Sequence, residues 1–218
     1  MEKLSEDMEQ ELYSTIIQTS YAFDAGSGHY SIRPITLGRE MMLKPEIRAI
    51  EAMHASPAED LQHLALKAAT ERKNEVLRAL AIVTLDSRKE LLDENAILSR
   101  MLDLDNDLDE TEMAALLVIV LKEMGKVSRL MKATGIDRDR EHLKAVHDAK
   151  KANKNTVTFG GVSIYGRLLD VACERYGWTL DYVLWGISSV NLQMMLADQV
   201  SSVFISDDEL KNIEPDEE

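Results

Sequence analysis

One periodic run in the middle of the chain constrains its fold more than any other feature. Met113, Leu116, Leu117, Val120, Met124, Val127 and Met131 recur at three- and four-residue steps, the spacing that lines one face of an α-helix. Asp109 to Thr111 supplies helix-starting residues before the run. Gly135 follows it, where a left-handed terminating residue is wanted. Weaker versions of the same signal extend over most of the chain. Thr36 is placed to cap a helix over Leu37–Leu43, and Pro45 suits the first turn of another over Pro45–His54, where its missing N–H costs nothing. Ser56, Pro57 and Glu59 have the N-cap, first-turn and capping-box positions of a further helix. Leu61, Leu64, Ala65, Ala68, Val76, Leu80 and Val83 continue at helical spacing. Asp86 opens a helix carrying Leu91, Leu92, Ile97, Leu98 and Met101. The expected fold class is mainly α, a multi-helix bundle.

The ends read differently. Met1–Glu11 is polar and acidic, either a frayed tail or a short helix, and Leu12–Phe23 has no clear period. Asp24 to Gly28 is a turn signal. His29–Ile35 reads as extended chain, because Pro34 pushes Arg33 away from helix. A short extended N-terminal segment is therefore expected over about residues 12–35. Asp137 caps a more polar helix to about Ala152, and Lys150–Gly161 breaks the helical period with polar residues and then glycines. Ser163 caps Ile164–Tyr176, Gly177 follows it, Thr179 caps a short helix to Trp185, and Ser188 or Ser189 opens Val190–Ser202. The expected division is an N-terminal segment (1–35), a helical domain (36–152), an aromatic and Met-rich helical subdomain (153–206) and a disordered acidic tail (207–218).

Charge is spread unevenly. The formal net charge is −14, which disfavours a nucleic-acid backbone as direct partner. Asp103–Glu112 holds six acids and no base, Asp207–Glu218 seven acids and one base, and Lys122–Lys154 ten bases and five acids. The chain is therefore dipolar. Its basic segment has no Phe, Tyr or Trp for base stacking, so a solvated face complementary to the chain's own acids is expected there. A single cysteine, Cys173, rules out a disulfide framework within the chain and fits a reducing compartment. With no apolar run long enough to span a bilayer and no basic-then-apolar leader, a cytoplasmic location and no membrane partner are expected.

The motifs that carry chemistry fail when checked residue by residue. An EF-hand loop beginning at Asp103 requires glycine at its sixth position and glutamate at its twelfth, and Leu108 and Ala114 stand there. The acids are expected to form a loop leading into a helix N-terminus, where negative charge is favoured. Gly161–Gly166 has phosphate-loop spacing, but Arg167 and Leu168 replace the lysine and hydroxyl residue it needs. Gly26 and Gly28 lack a third glycine and mark a turn. His142 and His147 lie five residues apart, off a common helical face, and no metal-ligand cluster occurs among His29, His54, His63, His142 and His147. His63 is placed to pair with Glu59 on a helix surface. Cys173 reads as a small hydrophobe within a helix. No catalytic residue, metal site or cofactor is assigned. An enzyme whose groups meet only in space, or an acidic adaptor that mimics nucleic acid, are the alternatives to a binding protein.

Aromatic residues are scarce, 5% of the chain, yet Tyr176, Trp178, Tyr182 and Trp185 fall within ten positions. Breaks at Gly177 and Gly186 and caps at Thr179 and Ser188 or Ser189 make this stretch two short helices meeting at a bend, with the tryptophans pinning the bend to the core. Leu192, Met194, Met195 and Leu196 then follow almost without polar interruption. Such a run cannot all face one core from one helix. With Tyr182 and Trp185, these four are the candidate partner-binding residues.

Two stretches are similar to a known family. Ile32-Arg-Pro-Ile-Thr-Leu-Gly-Arg-Glu40, followed by Met-Met-Leu, resembles the extended strand, P-[LI]-T-L-G and helix at the start of small phage or prophage tail assembly chaperones. Tyr176-Gly-Trp-Thr-Leu-Asp-Tyr-Val-Leu-Trp185 and the Leu/Met-rich run after it resemble their C-terminal aromatic and amphipathic pattern. The resemblance covers about one seventh of the chain. It implies a non-enzymatic protein of the bacterial host cytoplasm that binds the helical tape-measure protein, keeps it soluble and brings tube subunits to it. Eleven methionines suit a surface that adapts to apolar partners. The central helical block is longer than that role requires.

Overall fold

The computed structural model describes residues 5–54, 60–136 and 164–198. The expected capping box at Ser56–Glu59, the polar helix from Asp137, the Lys150–Gly161 break, the Ser163 cap, His142, His147 and the acidic tail lie outside the described residues. Among the described residues there are eleven helices and one two-stranded sheet, a mainly α fold. In chain order these are α1 (Glu6–Ile16), β1 (Tyr21–Ala25), β2 (Gly28–Ile32), α2 (Leu37–Glu51), α3 (Leu61–Glu71), α4 (Lys73–Thr84), α5 (Arg88–Leu91), α6 (Glu94–Asp107), α7 (Glu110–Met124), α8 (Lys126–Thr134), α9 (Ile164–Tyr176), α10 (Leu180–Trp185) and α11 (Ser189–Ala197).

Helix α4 is the hub. Val76, Leu77 and every residue from Ala79 to Thr84 are buried, and α2, α3, α6, α7 and β2 all pack on it. An element enclosed on so many sides must be apolar nearly all round. Arg78, its one charged residue along the buried stretch, leaves the core between two carboxylates, 3.1 Å from Glu46 and 2.5 Å from Glu94. The C-terminal carbonyls of α4 are buried, so each needs a donor. The Leu85 N–H serves Ala81, the Arg33 N–H serves Val83 at 2.9 Å, and Arg100 Nη1 serves Thr84 at 3.1 Å. Arg39 supplies Ile82 (2.5 Å) from Nη1 and Leu85 (2.7 Å) from Nη2. A guanidinium at a helix C-terminus also opposes the dipole's negative end.

Several elements differ from their expected bounds. Leu12–Ile16 is helical, the end of α1, and Tyr21–Ile32 is an antiparallel hairpin pairing Tyr21 with Ile32 and Ala25 with Gly28. Pro45 does not start a new helix. It lies inside α2, which runs unbroken to Glu51. Pro45 and Met41 are both exposed, so the Met41 carbonyl that loses its donor is on the water side. The run from Leu61 to Val83 is two helices, interrupted at Arg72 with φ −133°. The long periodic run is also two, α7 and α8, divided at Gly125, and Gly135 ends the second at φ +79°.

The acids of Asp103–Asp107 do not form a loop. They occupy the last turns of α6, and Asp109 alone acts as the N-cap of α7, in a capping box with Glu112. Acids at a helix C-terminus are disfavoured by the dipole. Lys73 pairs with Asp105 at 2.5 Å, and the Tyr30 hydroxyl donates to Asp107 at 2.6 Å. Burial, reinforced by Asp107, pushes the Tyr30 hydroxyl up to about 12, so it stays a donor at neutral pH. This bond ties the hairpin to α6. Replacing Tyr30 with Phe is expected to cost about 1 kcal/mol, read as a lower urea midpoint at unchanged slope.

A second, smaller core lies beside the first. Ala172 of α9, Val183 of α10, Ile187 and Leu192 of α11 are buried around Leu37, the first residue of α2. Cys173 is half-buried against this cluster, as a small hydrophobe would be.

Candidate functional site

The two stretches that resemble the chaperone family, about 140 residues apart in the chain, are packed directly on one another. Thr36 caps α2 and bridges antiparallel to Ser188. The Ser189 N–H donates to the Ile35 carbonyl at 2.8 Å, and the Ser189 hydroxyl donates to Glu40. Gly38 is buried under the Trp185 ring: a Cβ built on it would fall 2.6 Å from Cζ3 and 2.7 Å from Cη2 of the indole. Its φ is not in the left-handed region, so the absent side chain answers to close approach alone. At the rim, Arg88 of α5 pairs with Asp181 and places its guanidinium 5.9 Å from the Trp185 ring centre. Lys44 Nζ donates to the Tyr165 hydroxyl at 3.0 Å.

Local sequence builds the C-terminal half of this joint. Gly177 adopts φ +65° after α9, Thr179 caps α10 by accepting from the Tyr182 N–H at 3.2 Å, and Ser188 caps α11 by accepting from Asn191 at 3.2 Å. The aromatic residues form a file. Tyr176 stacks on Trp178 at 4.6 Å, Trp178 meets Tyr182 edge-on at 5.2 Å, and the Tyr176 hydroxyl donates to the Met195 carbonyl at 3.0 Å. Edge and offset contacts of this kind add about 0.5–1.5 kcal/mol each to the area they bury.

The candidate partner-binding residues divide. Leu192 is fully buried in the second core. It is a packing residue and faces no partner, because Ser188 and Asn191 fix α11 with that side inward. Trp185 is half-buried and packed against the main core, so it joins the two stretches. Met194 and Leu196 are half-buried, whereas Tyr182 and Met195 are exposed. Leu180, outside that set but in the same short helix as Tyr182, is also exposed. Its signal is an apolar residue immediately after an N-cap, where solvent-facing positions are common. Leu180, Tyr182 and Met195 are thus the exposed large apolar residues of α10 and α11.

Two small cavities flank it. One, of about 200 Å³, lies between the end of α1, the α7–α8 junction and Ser188, and its wall includes Gln18, Glu123 and Lys126. Lys126 is buried and pairs with Glu123 at 2.9 Å. The other, of about 160 Å³, is lined by Glu40, Lys44, Met124 and Tyr165 among others. Among the described residues no group of three His, Cys, Asp or Glu converges on a point that a metal ion would occupy, and no helix is long and apolar enough to cross a membrane.

Comparison with protein-family models, curated proteins and solved structures finds no match to this chain. The fold and the joint therefore define it only as a mainly α protein with an aromatic, partly open C-terminal face.

Proposed function

We propose that this chain is a non-enzymatic binding protein of the tail-assembly-chaperone type, which holds a helical tape-measure protein during assembly of a phage or prophage tail. The observation that carries this reading is the contact between Gly38 and Trp185. The two stretches that resemble the chaperones, remote in sequence, are one structural unit. Leu180, Tyr182 and Met195 are exposed apolar residues of that unit and are the residues assigned to the partner. Exposed aromatic side chains supply contact area with little loss of side-chain freedom, and flexible thioether side chains adapt to irregular apolar helices.

Co-expression with a tape-measure protein encoded in the same genome tests the reading. A soluble complex is expected, and insoluble or uncomplexed tape-measure protein in the presence of abundant chain would end the proposal. Met195→Glu is expected to weaken the complex by roughly tenfold or more, since it places a charge where apolar area is buried, while the thermal midpoint of the free chain changes little. Unchanged binding by Met195→Glu and by Tyr182→Glu would move the contact elsewhere.

A further inference from the structure

Helix α1 turns Tyr13 and Ile16 outward, while Met8 and Leu12 are half-buried. Tyr13, Ile16 and Ile17 stand at i, i+3 and i+4, one stripe of the helix, and are 60%, 58% and 73% exposed. Tyr21, just past the helix end, is 51% exposed. Its inward side is held by polar groups. Asn191 Nδ2 donates to the carbonyls of Thr15 (3.0 Å) and Ile16 (3.3 Å), Glu11 pairs with Arg129, and buried Thr15 bonds back to the Glu11 carbonyl at 2.7 Å. The stripe is therefore not used to attach the helix. Large exposed side chains gathered in this way mark interaction surfaces.

The end of the helix is fixed at some conformational cost. Gln18 sits at φ +56°, with its N–H on the Thr15 carbonyl (3.1 Å) and the Thr19 N–H on the Ser14 carbonyl (3.0 Å). This is a Schellman ending with glutamine where glycine is usual. Its side chain accepts from the Ser188 N–H at 2.6 Å, which locks the stripe in place relative to α11. Toward the N-terminus the same helical face carries Glu6 and Glu9, seven and four residues before Tyr13. The face is thus acidic at one end and apolar at the other.

We propose that the outer face of α1, from Glu6 to Tyr21, docks a cationic amphipathic helix of another polypeptide. The partner's apolar side chains cover Tyr13, Ile16 and Ile17, and its Lys or Arg residues meet Glu6 and Glu9. Charge selects this occupant. A second copy set face to face on this surface brings the same acids to Glu6 and Glu9, and an anionic lipid surface is repelled by them. The surface is separate from Leu180, Tyr182 and Met195, so each is tested by its own variants.

The test is a binding titration of the full chain with a synthetic leucine–lysine amphipathic helix and its leucine–glutamate counterpart. The lysine peptide is expected to bind and the glutamate peptide to fail. Ile16→Ser with Ile17→Ser, which leaves the charge unchanged, is expected to weaken binding at least about tenfold. Glu6→Gln with Glu9→Gln is expected to weaken it and to flatten its salt dependence. Leu98→Ser with Leu102→Ser, on the exposed side of α6, is expected to leave it unchanged. Binding that survives the isoleucine pair, or that falls equally with the α6 pair, would show diffuse charge attraction and overturn the proposal. Self-association of the wild type that disappears in the isoleucine pair would assign the face to a second copy and overturn it as well.

Discussion

Replacing Arg39 with methionine lowers the stability of the chain by about 3 kcal/mol, a large effect for one substitution. Methionine occupies much of the same volume, so the loss is not mainly a cavity. It comes from the carbonyls of Ile82 and Leu85, which accept from the guanidinium at 2.5 and 2.7 Å. Both lie at the end of the most enclosed helix, where water cannot take over. Lysine cannot rescue the site, because one ammonium does not span two carbonyls in the manner of a planar fork. Arg100→Met removes only the bond to Thr84 and costs less. Urea unfolding followed by circular dichroism gives the ordering. Burial, with Arg33 adding to it, lowers the Arg39 pKa to about 10. Unfolded arginine titrates higher still, so below pH 10 both states hold the proton and the loss in Arg39→Met is the same at pH 6 and pH 8.

Gly38→Ala destabilises the chain by about 1–3 kcal/mol, the usual range for a methyl forced into a packed site. The sign is informative. Alanine is the better helix former, by up to about 1 kcal/mol, and Gly38 is already in α2 with ordinary backbone angles. Left to itself, the substitution stabilises. It destabilises here because the new Cβ meets the Trp185 ring 2.6–2.8 Å away. The clash has no cheap exit: Trp185 is packed on the main core and Arg88 lies over it. Gly38→Ala is also expected to lower the proposed tape-measure binding more than its loss of stability accounts for, since moving Trp185 tilts α10 and with it Leu180 and Tyr182.

What the sequence carried and what it hid have separate physical causes. Helix caps are local, so Thr36 and Thr179 could be assigned from one or two neighbours, Asp109 lay within the expected Asp109–Thr111 start and Ser188 was one of two candidates, and each accepts a backbone N–H as a cap does. The hairpin turn at Gly26 was equally local. Helix α1 was hidden because Tyr13 and Ile16 face water and its one fully buried residue, Thr15, is polar, against the usual pattern. Pro45 misled because proline is favoured at a helix start yet is tolerated within α2 where its orphaned carbonyl is wet. The break at Arg72 has no glycine or proline to announce it. The joint itself was hidden most completely. Leu192 and Met195 are both apolar and three apart, and only the placement of α11 decides that one is core and the other surface. Nothing in Ile32–Glu40 names Trp185 as its neighbour, although a glycine at the second position of a helix was the available signal.

The contact between Gly38 and Trp185 is the joint on which the functional reading rests, and a double-mutant cycle measures it directly. Gly38→Ala, Trp185→Leu and the pair are compared by urea unfolding. If the two stretches are one unit, Gly38→Ala destabilises the wild type but is neutral or stabilising once Trp185 is leucine, a reversal of sign with coupling of at least about 1 kcal/mol. Effects that simply add, within about 0.5 kcal/mol, would show that Gly38 and Trp185 do not touch and would contradict the account.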